Sequence, residues 1–136
     1  MELERSNPDG VAPPAANGYS HAVRVPLGDA TLLVVSGQLP LDAAGELVGA
    51  GDLRAQTRQV FENLRTILEA NGATFADVVK MGTYVTDLGG LDAVRAVRRE
   101  YLGSEPPAST LVQVRGLVHP DAMIEVDLEA VARPTR

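Results

Sequence analysis

Residues 124–130, Ile124-Glu125-Val126-Asp127-Leu128-Glu129-Ala130, alternate apolar and acidic side chains without interruption. Successive side chains of an extended strand point to opposite faces of a sheet, which puts Ile124, Val126 and Leu128 on one face and Glu125, Asp127 and Glu129 on the other. The first face requires a covering apolar layer. Three carboxylates in a row repel one another, and any that is partly covered has a raised pKa suited to general acid or base work; left uncovered, the row is a solvated outer face.

Upstream, residues 21–25 and 31–36 are rich in β-branched side chains and are separated by Gly28-Asp29, the pattern of a hairpin. The second run is apolar throughout, which predicts burial on both faces. Residues 40–51 have turn composition and lead to Asp52, a candidate helix N-cap. Leu53, Val60, Phe61, Leu64, Ile67 and Leu68 then form one stripe of a helix that stops at Asn71-Gly72. Residues 77–86 contain Tyr84-Val85-Thr86 and predict a strand, broken by Gly89-Gly90. Leu91, Val94, Val97, Arg98 and Tyr101 define a shorter amphipathic helix closing near Gly103, and strands over 109–115 and 123–132 follow Pro106-Pro107. Residues 1–18, with Asn7-Pro8-Asp9-Gly10 and Pro13-Pro14, predict an irregular arm. The order ββ-α-β-α-ββ defines one α/β (α+β) domain over 1–136: a mixed sheet with both helices on one face. The other sheet face needs a cover, and a second copy of the chain is the expected one.

The composition excludes several classes. Twelve Lys and Arg against eighteen Asp and Glu give a net charge of −6, which disfavours binding to nucleic acid or anionic lipid. The absence of cysteine removes disulfides, thiolate nucleophiles and Cys-ligated zinc, and two distant histidines offer little for a metal, so metal-free chemistry, or none, is expected. No apolar run approaches the roughly eighteen residues of a membrane span, and Met1-Glu2-Leu3-Glu4-Arg5 lacks the order of a signal peptide; a cytoplasmic protein is expected.

Gly-x-Ser-x-Gly, the P-loop, GxGxxG and HExxH are all missing. Among the weaker signals, Ser36-Gly37-Gln38 ends an apolar strand and could offer a hydroxyl and a backbone N–H to a ligand oxygen; its plain alternative is a strand exit. Arg95-Ala96-Val97-Arg98-Arg99 is a basic cluster that could grip a carboxylate or phosphate, or simply pair with Asp92 or Glu100 in solvent. His21 and His119-Pro120 read as structural or solvated.

Taken together, Gly18-Tyr19-Ser20-His21-Ala22, Val35-Ser36-Gly37-Gln38-Leu39-Pro40, Gln56, Gln59 and Asn63-Leu64 resemble the RidA (YjgF-like) family. Gly72-Ala73, Asp77-Val78-Val79-Lys80, Tyr84-Val85-Thr86-Asp87, Tyr101, Pro107-Ala108 and Ile124-Glu125-Val126 continue the match over nearly the whole chain. The resemblance implies a chorismate-mutase-like fold, a homotrimer with clefts between subunits, and cofactor-free enamine/imine deamination, in which water adds to an imine carbon and ammonia leaves. Many such proteins carry the older label L-PSP endoribonuclease, an activity that the net charge and the lack of a His pair or metal site disfavour here. Carried over by position, Tyr19, Ser36 and Gly37 line the cleft and Glu125 activates the water, Asp127 replacing it if a bulge shifts the strand. One position departs. Deaminating members have a carboxylate-clamping arginine after the Pro-Ala pair, where this chain has Ser109, which lacks the charge. Arg95 is the expected substitute anchor, unless the substrate has no carboxylate. The competing reading is a non-catalytic trimer that binds or senses a small molecule.

Overall fold

The computed structural model describes residues 1–134. Its elements are β1 (Glu4–Ser6), β2 (Ala22–Leu27), β3 (Ala30–Gln38), α1 (Leu53–Ala70), β4 (Val78–Val85), α2 (Leu91–Leu102), β5 (Ala108–Gln113) and β6 (Ile124–Ala132). They build one six-stranded sheet in the order β1-β2-β3-β6-β4-β5, antiparallel except for the parallel pair β4 and β5. Because β3 and β4 both run antiparallel to β6, they are parallel to each other, so α1 and α2 each complete a β-α-β crossover. Both crossovers advance toward the same sheet edge, and crossovers of one hand moving in one direction must lay their helices on the same face. The two helices therefore cover one face, as the element order predicts.

Local chemistry sets the helix limits. The Asp52 side chain accepts a hydrogen bond from the Ala55 N–H at 3.0 Å, which satisfies one of the donors left open at the start of α1. Gly72 follows the helix at φ +74°, a conformation that glycine adopts without a Cβ penalty. The apolar stripe of α1, Val60, Phe61, Leu64, Ile67 and Leu68, is fully buried against Leu33 and Val35 of β3, Met81 and Val85 of β4, and Ile124, Val126 and Leu128 of β6. Phe61, Phe75 and Tyr101 stack at ring-centroid separations of 5.1–5.7 Å and join α1 to α2.

Two features depart from the sequence reading. Residues 1–18 are not wholly irregular: Glu4–Ser6 pair with Arg24–Ala22 as an edge strand. Long-range bonds hold this arm. Asn7 Oδ1 accepts from the His21 N–H at 2.8 Å, the His21 ring binds the Ala12 carbonyl, and Arg24 and Ser6 both bond to Asn71 at the end of α1. Nor is β3 buried on both faces. Leu33 and Val35 are sealed beneath the helices, but Val34 on the opposite face is 40% exposed, because among the described residues no layer covers that side.

Gln56 fastens the start of α1 to the approach to β6. Fully buried, it donates to the carbonyls of Gly49 (3.1 Å) and Asp121 (3.0 Å) and accepts from the Met123 N–H (2.7 Å). Gln56→Leu fills the same space but strands three polar groups, so it is expected to destabilise the chain by about 2–4 kcal/mol. Urea denaturation reads this as a lowered midpoint at unchanged slope; an unchanged midpoint would show that the tie contributes nothing.

Candidate active site

In β6 the acidic row faces away from the helices, and its three members meet different surroundings. Glu125 is half-buried, Asp127 half-buried and Glu129 exposed. The pairing of β3 with β6 shifts register between Val35 and Gln38, and this irregularity brings Gly37 directly under the Glu125 side chain. A Cβ at Gly37 would overlap the Glu125 carboxylate, so glycine is what allows that carboxylate to lie there.

Glu125 opens into a cleft of about 490 Å³ that Tyr19, Ser36 and Gly37 also line. Leu39 and Leu41 form its apolar wall, and Val118 and His119 stand at the side of the β5–β6 connection. Burial, and secondarily the negative charge of Asp127, push the Glu125 carboxyl above its usual range. The Ser36 hydroxyl donates to the Ser20 carbonyl at 2.5 Å and its N–H to the His21 carbonyl at 2.8 Å, so Ser36 presents lone pairs to the cleft and not the free donor that its sequence context suggests. His119 Nδ1 accepts from the Asp121 N–H at 3.1 Å, which leaves Nε2 to carry the proton of the neutral ring. His21, in contrast, is buried and bound to the arm.

Asp127 does not line this cleft. It lies one pleat along, over Gly82, and accepts from the Tyr84 hydroxyl at 3.0 Å, a bond that raises the Tyr84 pKa. Nor does one chain bring Arg95 or Ser109 to Glu125. Ser109 pairs in register with buried Met81 and so faces the helix layer, opposite to the acidic row. Arg95 lies on α2 beside a separate recess with Arg98 and Arg99.

The sequence reading noted Gln59 and Asn63 only as marks of resemblance and gave these amides no part in shaping the cleft wall. Buried Asn63 donates to the carbonyls of Leu39 (3.1 Å) and Leu41 (2.9 Å), and Gln59 donates to Leu41 (3.3 Å) and to Asn63 Oδ1 (2.9 Å). Their signal was present as amides interrupting the apolar side of α1. Among the described residues no group of three or more His, Asp or Glu is placed to hold a metal, and no helix is long and apolar enough to cross a membrane.

The fold and this cleft define a mixed α+β protein with one half-buried carboxylate in a largely apolar cleft. Residues 10–132 match the family described as Endoribonuclease L-PSP. A relative named 3-aminoacrylate deaminase RutC, from Acinetobacter baylyi, is 40% identical over 126 residues, covering 93% of this chain and 95% of that protein. Protein DfrA of Myxococcus xanthus is 41% identical over 121 residues, covering 89% and 90% of the two chains. A crystal structure of a putative endoribonuclease from Thermotoga maritima superposes with a TM-score of 0.84 at 36% identity, covering 98% of this chain and all of that one. The E. coli YjgF gene product superposes with a TM-score of 0.80 at 31% identity, covering 96% and 99%. The chain belongs to the RidA/YjgF family, also called the L-PSP family.

The position of Glu125 has a stability consequence. A carboxyl whose pKa is raised by folding favours the protonated native state, so its contribution is complete below the pKa of an unfolded glutamate and is lost as pH rises through the folded value. Glu125→Gln is therefore expected to melt at a higher temperature than the wild type at pH 7–8, with the difference shrinking toward pH 4. Equal melting temperatures across that range would remove the desolvation argument.

Proposed function

We propose that the chain hydrolyses a reactive enamine or imine with release of ammonia, and that Glu125 is the catalytic residue. The observation that carries this reading is the half-buried Glu125 carboxyl, lying over Gly37 in a largely apolar cleft with its pKa raised. In the reaction the ionised carboxylate accepts a proton from water as the water oxygen bonds to the imine carbon and the C=N electron pair moves to nitrogen. The carboxyl returns that proton to nitrogen, then takes the proton of the new hydroxyl and passes it to nitrogen as the C=O bond forms and the C–N bond breaks, so that ammonia leaves and a carbonyl compound remains. For an enamine, protonated Glu125 first delivers a proton to the β-carbon, giving the iminium form. A raised pKa suits both roles, since it brings the proton-loaded form nearer in energy to the proton-free form than in an exposed glutamate. Leu39 and Leu41 limit bulk water, while Tyr19 and the lone pairs of Ser36 orient the substrate. The name of the A. baylyi relative supports this reaction class.

The assembly we favour is a cytoplasmic homotrimer. Val34 and Val112 are each 40% exposed, Val34 on the face away from the helices, and an apolar surface in a small protein calls for cover. Neither metal nor cofactor is required by the chemistry.

A second reading is a non-catalytic trimer that binds a small molecule. Ser109 favours it, because deamination in similar proteins relies on a clamping arginine there, and Ser36 has committed its hydroxyl proton. Steady-state assays with 2-aminoacrylate and 3-aminoacrylate generated in situ, with semicarbazide trapping of remaining imine, separate the two. The wild type is expected to exceed buffer, and Glu125→Gln to lower kcat by roughly 10²–10⁴. A wild type no faster than buffer on these and on larger imines sinks the deaminase reading, and full activity in Glu125→Gln sinks the assignment of the residue. Light scattering on the eluting protein tests for three chains.

A further inference from the structure

Arg95, Arg98 and Arg99 share one side of α2 and line a recess of about 220 Å³ with Leu102, Gly103 and Pro106. Surface arginines in an acidic protein ordinarily find a carboxylate. Among the described residues the ion pairs are Arg24–Glu4, Arg58–Glu100 and Arg65–Glu62, and none involves this trio. Glu100, the acid next to Arg99 in sequence, is taken by Arg58 at 3.0 Å. Arg98 is the half-buried member, and its guanidinium is held below its ordinary value by burial and then by the charge of Arg95. Two like charges brought together without a counter-charge are stabilised by any anion that reaches them. Arg98 Nη1 also lies 3.5 Å from Ser109 Oγ, so a hydroxyl stands beside the guanidinium as a further donor. The end of the α2 dipole opposes an anion by about half a charge, which three full positive charges outweigh.

We propose that Arg95, Arg98 and Arg99, with Ser109, form a binding site for the oxyanion of a small molecule, a carboxylate or a phosphate. Planar guanidinium groups match both, and the recess admits such a head group. The site does not depend on the deaminase reading. Its ligand has two possible sources: the carboxylate of a substrate seated in the Glu125 cleft of an adjacent copy, or a separate anionic metabolite.

Calorimetric titration of the full chain with inorganic phosphate and with malonate, at low ionic strength, tests the site. Saturable binding is expected for the wild type, weakened about tenfold or more in Arg98→Ala and in the exposed double variant Arg95→Ala/Arg99→Ala. Arg54→Ala, which removes an exposed charge from α1, is expected to bind as the wild type does. No saturable binding by the wild type overturns the proposal, as does equal weakening in Arg54→Ala. If Arg98→Ala does not fold, the double variant decides alone. KM for a carboxylated and a neutral imine identifies the source. A rise in Arg98→Ala confined to the carboxylated imine assigns the site to the substrate, and unchanged KM for both assigns it to a separate metabolite. A protein inert toward every imine that still binds phosphate through Arg98 leaves this site standing and removes the deaminase reading.

Discussion

β6 lies between β3 and β4 and runs antiparallel to both, and the strict alternation of its side chains divides the molecule into two environments. Every second residue, from Ile124 to Ala132, enters the core beneath α1, while the intervening residues reach the opposite face. A slip of one residue would bury the carboxylates and expose the core, so the hydrophobic pattern fixes the register. The catalytic candidate is thus placed by the same constraint that seals the core.

Polar groups then refine what the apolar layer supports. Gln56 anchors the approach to β6, and Asn63 with Gln59 hold the strand exit at Leu39 and Leu41. Each uses a buried amide to satisfy loop carbonyls that water cannot reach, where an apolar side chain would leave them unpaired. The cleft wall is therefore a property of α1 as much as of the loop that forms it. Gly37 and Gly82 act in the complementary way: by having no side chain they leave room for Glu125 and Asp127.

Features governed by local pattern were legible in the sequence. The alternation of residues 124–130, the Asp52 cap, the Asn71-Gly72 stop and the sequence of crossovers all follow from neighbours within a few positions. What depends on distant partners was not. The three residues of β1 carry no periodic signal and are held by distant partners, through pairing with Arg24–Ala22, the ion pair of Glu4 with Arg24 and the bond from Asn71 to Ser6. An apolar run such as 31–36 does not reveal whether one or two layers cover it. In the site, Tyr19, Ser36, Gly37 and Glu125 were named from sequence and line one cleft, yet the donor bond of Ser36 depends on where Ser20 lies in space. Arg95 and Ser109 were grouped with that cleft by analogy to an assembled site, whereas one chain holds them on its other side, next to Arg98.

The central position of β6 also bears on how the chain folds. β6 follows every other strand in sequence but occupies an inner place in the sheet, so β3 and β4 have unpaired inner edges until it arrives. Its partners at Thr31 and Leu32 are about a hundred residues away along the chain, a topology of high contact order that forms slowly because loop closure precedes any gain from pairing. A nascent or truncated chain that lacks residues 124–132 would present two open strand edges flanking an apolar gap. Such edges favour association with other chains, so cleavage before β6 exposes the sheet to aggregation in addition to removing Glu125.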